Sequence, residues 1–82
     1  MQNFEYQVCS VQYSRVTFVN GAWRGSVPYG PDTSAALESC PNVWDYLIEA
    51  GQAGWELVSV ISHPQPQADA VQDMLYLKRP AW

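Results

Sequence analysis

Polar and apolar residues alternate from Phe4 to Tyr13: Phe4, Tyr6 and Val8 interleave with Glu5 and Gln7, then the apolar phase moves to Val11 and Tyr13. A period of two predicts a strand, and the change of phase predicts a bulge near Cys9-Ser10. Arg15 to Val19 is a second, β-branched run that meets Asn20-Gly21. That dipeptide suits the two positive φ values of a type I′ hairpin turn, so Ala22 to Val27 is expected to pair back. Pro28-Tyr29-Gly30-Pro31-Asp32 ends the hairpin, because two prolines and a glycine in five residues cannot continue a ladder. Thr33 to Ser39 reads either as a short helical turn capped by Asp32 or Thr33, or as an ordered loop.

A helical stripe follows. Pro41 suits a first helical position, and Val43, Trp44, Leu47, Ile48 and Ala50 share a face opposite Asp45, Glu49 and Gln52. Gly51 and Gly54 close this helix, and Trp55 to Ser62 reads as a strand with Trp55, Leu57, Ser59 and Ile61 on one face and Glu56, Val58, Val60 and Ser62 on the other. His63 to Asp69 is a polar, proline-broken turn, and Val71 to Arg79 is the last strand, with Met74 and Tyr76 facing away from Leu75 and Leu77 before Pro80 stops it. Strand, hairpin, helix, strand, strand predicts an α+β fold: a small, mostly antiparallel sheet with one helix packed on one face. The last two strands are apolar on both faces, which calls for a second covering layer. The expected cover is another copy of the chain.

Length and composition sharpen this picture. The 82 residues form one domain, 1–82, and a chain of this size buries only roughly 60–65% of its unfolded surface. Its four Trp, five Tyr and two Phe exceed what so small a sheet covers alone, which points to an oligomer interface or a ligand groove. A formal charge of −4, with only Arg15, Arg24, Lys78 and Arg79 basic, repels phosphate backbones and anionic lipid, so neither nucleic acid nor a membrane is an expected partner. The start has no basic segment followed by a signal-like apolar run, and no apolar run reaches the length of a membrane span, so a cytoplasmic location is expected. Cys9 and Cys40 lack metal or redox spacing and read as reduced, partly buried thiols.

Three segments together resemble a known family: Phe4-Glu5-Tyr6-Gln7-Val8, the stretch from Leu47 through Gly54-Trp55-Glu56-Leu57-Val58-Ser59-Val60, and Tyr76-Leu77-Lys78-Arg79-Pro80. They look like the small bacterial proteins of the domain of unknown function 4177. That family reads as an aromatic-Glu-Tyr-Lys-Val strand, a helix ending in a Leu-Gly-x-x-Gly-Trp-Glu-Leu-Val handover, and a last strand ending in Lys-Arg. The match covers about a third of the chain in the right order. The resemblance implies a β-α-β-β fold and an undefined function. The chain departs from the family between Val11 and Pro41, where a hairpin and loop at about residues 12–40 look like an insertion.

No acid, base and nucleophile can be assembled from these residues into a catalytic constellation, and no cofactor is implied. Glu56 is expected to pair across strands with Lys78 or Arg79, His63 to lie exposed in its turn, and Trp44 and Trp55 to fill the core. Trp23 and Trp82 have no evident core slot and suit an oligomer contact. The leading expectation is a non-enzymatic module that associates with itself or another protein through a face carrying Val58, Val60, Met74, Tyr76 and Trp82. The alternative is a small-ligand module in which Trp23, Arg24 and Tyr29 enclose a planar or anionic molecule at a subunit interface.

Overall fold

The computed structural model describes residues 2–28, 33–65 and 70–81. Five strands and two helices follow in order: β1 (Phe4–Gln12), β2 (Arg15–Val19), β3 (Ala22–Trp23), α1 (Thr33–Glu38), α2 (Val43–Gln52), β4 (Glu56–Gln65) and β5 (Ala70–Pro80). All strand pairs are antiparallel and the sheet order is β3-β2-β1-β5-β4. The fold is the expected small α+β arrangement, with a second helix where the sequence left helix and loop open. No helix among the described residues is long and apolar enough to cross a membrane.

β1 lies at the centre and corrects one expectation. Its register with β5 runs unbroken from Phe4 opposite Pro80 to Gln12 opposite Gln72, so β1 itself carries no bulge. The apparent phase change is two apolar faces in one regular strand: Phe4, Tyr6 and Val8 on one side, Cys9 and Val11 on the other. The irregularity sits on β2 instead. Ser10 stands opposite Phe18 but Val11 stands opposite Val16, which leaves Thr17 as the extra residue. Thr17 is fully buried, and its hydroxyl donates to the Ser10 carbonyl at 3.3 Å.

The Asn20-Gly21 turn forms as its chemistry requires, with φ of 51° and 83°. Asn20 also extends the ladder, donating its backbone N–H to Val8 at 2.8 Å and accepting from Val8 through its side chain at 2.9 Å. β3 is only two residues long, shorter than the expected Ala22 to Val27. The Trp23 indole donates to the Val27 carbonyl at 2.9 Å and draws the chain back. A side chain at Gly25 would collide with Ser39 and the Trp23 ring, so glycine permits this close return.

α2 begins later than Pro41. Asn42 caps it by accepting from Trp44 N–H at 2.8 Å, while Pro41 and Asn42 lie along the free edge of β2, the Pro41 carbonyl accepting from Val16 N–H. At the other end the helix runs through Gly51. Gly54, at φ +93°, closes it, with Gly54 N–H donating to Gly51 and Trp55 N–H to Ala50, both at 3.0 Å.

The core is Cys9, Val11, Val16, Tyr46, Ala50, Leu75 and Leu77, with Val19, Val43, Leu47 and Trp55 packed against it. Trp55 takes its expected place; Trp44 does not, being 71% exposed. The helix is rolled so that Tyr46, not Trp44, meets the sheet. α1 packs on β2 with Ala36 and Cys40 buried, and the Arg15 guanidinium donates to the Glu38 and Cys40 carbonyls at 3.1 and 2.9 Å, satisfying the end of that helix.

Candidate functional site

The apolar surface left uncovered by this packing gathers on β4 and on the sheet face turned away from α2. Beyond Trp55 the strand pairs Glu56 with Lys78 and Leu57 with Leu77, then shifts register so that Ser59 meets Tyr76. One residue is extra there, and Val58 and Ser59 together stand opposite Tyr76. From the bulge onward the faces exchange: Ser59, Ile61 and His63 share the outer face with Tyr76, Met74 and Gln72, and Val60 and Ser62 share the helix side with Leu75 and Asp73. A single face carrying Val60 with Met74 and Tyr76 is therefore not what forms. Val60 looks one way and Met74 and Tyr76 the other. Trp82, expected at the same interface, lies outside the described residues.

The consequence is an edge strand that is apolar on both sides. Leu57, Val58, Val60 and Ile61 are 42, 54, 50 and 44% exposed, and β4 ends the sheet with one ladder edge unpaired among the described elements. The outer face continues inward across Met74 and Tyr76 to Phe4, Tyr6 and Val8, with Tyr6 68% exposed. Lys78 crosses this face with its ammonium 4.7 Å from the centre of the Phe4 ring.

Polar groups at the sheet end act structurally. Arg79 pairs with Glu5 at 2.8 Å, stacks 4.5 Å from the centre of Trp55 and donates to the Ala53 carbonyl at 3.1 Å, tying β1, β5 and the end of α2 together. Glu56 sits opposite Lys78, as expected from the strand pairing, but the close ion pair of Arg79 is with Glu5. Both of its partners are partly exposed, so this pair contributes about 0–1 kcal/mol.

Of the residues expected to line a ligand pocket, the two described ones, Trp23 and Arg24, point to opposite sides of the sheet. Trp23 pairs with Phe18 on the outer face, ring centres 5.3 Å apart and edge to face, whereas the adjacent Arg24 reaches the other side and lies 5.8 Å from the centre of the Tyr46 ring. Alternation along a strand separates neighbouring side chains in this way. Tyr29 lies outside the described residues.

Beneath Arg24 is a small buried network that the sequence did not disclose. The Tyr46 hydroxyl donates to Gln7 Oε1 at 2.6 Å and the Cys9 thiol donates to the same oxygen at 3.3 Å. Burial pushes the Cys9 thiol above its ordinary value and the Tyr46 phenol up to about 12, aided in Tyr46 by the neighbouring Cys9. Both groups therefore stay protonated at neutral pH, the opposite of an activated nucleophile. Cys40, likewise raised by burial, is free and buried like Cys9. A sequence signal for this network existed: Gln7 falls on the inward phase of β1, and a polar residue there needs a buried partner. His63 is exposed as expected, but in β4 and not in a turn: the strand runs on through His63, Pro64 and Gln65, paired with Gln72, Val71 and Ala70. Among the described residues no group of three or more His, Cys, Asp or Glu side chains could hold a metal ion. Comparison with protein-family models, with curated proteins and with solved structures gives no match for this chain.

Proposed function

We propose that this chain is a non-enzymatic module that associates with itself, and that its working surface is β4 together with the outer sheet face. One observation carries the reading: four large apolar side chains of β4, two-fifths to half exposed, stand beside a ladder edge unpaired among the described residues. Full burial of such a side chain yields about 1.5–3 kcal/mol, so completing the burial of these four is worth roughly 3–6 kcal/mol per copy. Association costs about 4–15 kcal/mol in lost freedom, and two copies together supply roughly 6–12 kcal/mol, which offsets the lower and middle part of that range. Tyr6 and Phe4 on the outer face add to the same side of the balance.

Catalysis has no corresponding support. The two thiols are buried and held protonated, and Glu5 is engaged by Arg79. The resemblance to the domain of unknown function 4177 implies no competing activity. Free, buried thiols suit a reducing compartment, and we assign the cytoplasm. Light scattering after size-exclusion chromatography tests the proposal. The wild-type chain is expected as a dimer or higher oligomer, and Val60→Glu, which places a charge on the half-exposed edge strand, is expected as a folded monomer by circular dichroism. A wild-type chain that stays monomeric across a concentration series refutes it.

A further inference from the structure

We propose that two copies join antiparallel through β4, with Ile61 of one copy facing Ile61 of the other across a two-fold axis. This rests on the self-association reading and specifies its geometry. The usable edge is short. At one end the ladder is broken by the extra residue before Ser59; at the other, Pro64 has no N–H to give. Between them lies an unbroken run of five residues, Ser59 to His63, whose centre is Ile61.

The direction of the backbone groups agrees with that centre. A proline within a paired strand is accommodated where its missing N–H would point to the free edge, and alternate residues share that direction, so Val60 and Ser62 present their N–H and C=O outward. The register shift before Ser59 gives the same phase, since in a bulge of the common kind both residues facing one partner, here Val58 and Ser59 facing Tyr76, turn their N–H groups toward it. An antiparallel partner centred on Ile61 then exchanges hydrogen bonds between Val60 and Ser62 of opposite copies, twice, flanking a close non-hydrogen-bonded pair of Ile61 residues. Facing residues also match by side of the sheet. Ser59, Ile61 and His63 are all on the outer face, and Val60 and Ser62 both on the helix side. A centre between two residues would set an outer-face side chain against a helix-side one, which a continuous sheet does not permit.

Charge favours a second copy as the occupant. A chain of formal charge −4 repels itself, yet Leu57 to Ser62 carries no ionisable side chain. Glu56 faces Lys78 within its own copy, and Asp73 accepts from Ser62 at 2.6 Å one strand back from the edge. The neutral strip is where two acidic copies meet without opposed charges, and each supplies the other with apolar cover on both faces. Edge strands are ordinarily guarded by charged side chains, and this one carries none from Leu57 to Ser62.

Single cysteine variants under mild oxidation test the register. Non-hydrogen-bonded pairs bring Cα atoms to about 4.5 Å, inside the span a disulfide bridges. Ile61→Cys is expected to form a covalent dimer rapidly, Val60→Cys to react at least tenfold more slowly with itself, and a mixture of Val60→Cys with Ser62→Cys to give the mixed dimer. The wild-type chain, whose thiols are buried, is the baseline. Dimeric protein by light scattering with no preference for Ile61→Cys overturns this geometry and leaves self-association standing; rapid crosslinking of Tyr6→Cys instead would move the contact to the outer face. A monomer at all concentrations with Ile61→Cys remaining a free thiol overturns both.

Discussion

Tyr46 and Gln7 hold the helix to the sheet through a single 2.6 Å hydrogen bond, and a double-mutant cycle measures what that bond contributes. Tyr46 is 8% and Gln7 9% exposed, so neither group has water as a ready substitute. Tyr46→Phe removes one donor and leaves Gln7 Oε1 with only the longer thiol contact from Cys9, which costs about 1–1.5 kcal/mol. Gln7→Leu costs more, about 1–3 kcal/mol, because it strands a buried phenol O–H with no acceptor. Combining the two removes both polar partners and replaces them with apolar groups of similar shape. The double variant is therefore expected to be at least about 1 kcal/mol more stable than the sum of the single losses implies. Urea unfolding followed by far-UV circular dichroism gives the four stabilities, and for a domain of this size 1 kcal/mol also appears as roughly 4–8 °C in Tm. Additive losses would refute the reasoning, since they would mean that the hydroxyl and the amide do not depend on each other for solvation.

Two further predictions concern ionisation and backbone strain. Because the Tyr46 phenol is pushed up to about 12 from an ordinary value of 10, its contribution to stability is fully present below pH 10 and is lost as pH rises from 10 toward 12; Cys9, raised from 9, begins the decline earlier. Urea midpoints should fall across this window, and Tyr46→Phe should flatten the decline; an unchanged slope would exclude Tyr46 as its source. The β1–β2 turn uses Tyr13 at φ 53° and Ser14 at φ 62°, both left-handed and neither glycine. Replacing them together with Asn and Gly should raise stability by about 1–2 kcal/mol in the same assay, and a loss instead would show that the Tyr13 or Ser14 side chain contributes more than the strain removes.

That turn also shows where sequence reading succeeds and where it stops. Asn20-Gly21 announces its hairpin because the residues prefer the conformation they adopt; Tyr13-Ser14 announces nothing, because tertiary pairing forces it on residues that do not. The existence of α2 was legible from its stripe. Its roll was not, since Trp44 and Ile48 compete with Tyr46 for the sheet, and the hydrogen bond from Tyr46 to a glutamine 39 residues earlier decides. On β4 simple alternation predicts the faces up to Leu57, and the bulge reverses those from Ser59 onward. Val60 was therefore recognised as exposed apolar surface but assigned with the wrong neighbours. Trp23 and Arg24 were grouped because they are adjacent in sequence, and adjacency in a strand is what parts them.

The two ends of the sheet are unequal. Beside β2, a two-residue β3 and the crossing Pro41-Asn42 segment occupy the backbone groups that another strand would use, whereas β4 offers its run at the far end. Fibre growth needs two open ends that fit each other, one receiving while the other extends. Under the proposed pairing, a sheet blunted at one end and joined to its own copy at the other has none left to offer. That pairing would convert an aggregation hazard into a terminating contact, and keep a sticky strand compatible with a finite particle.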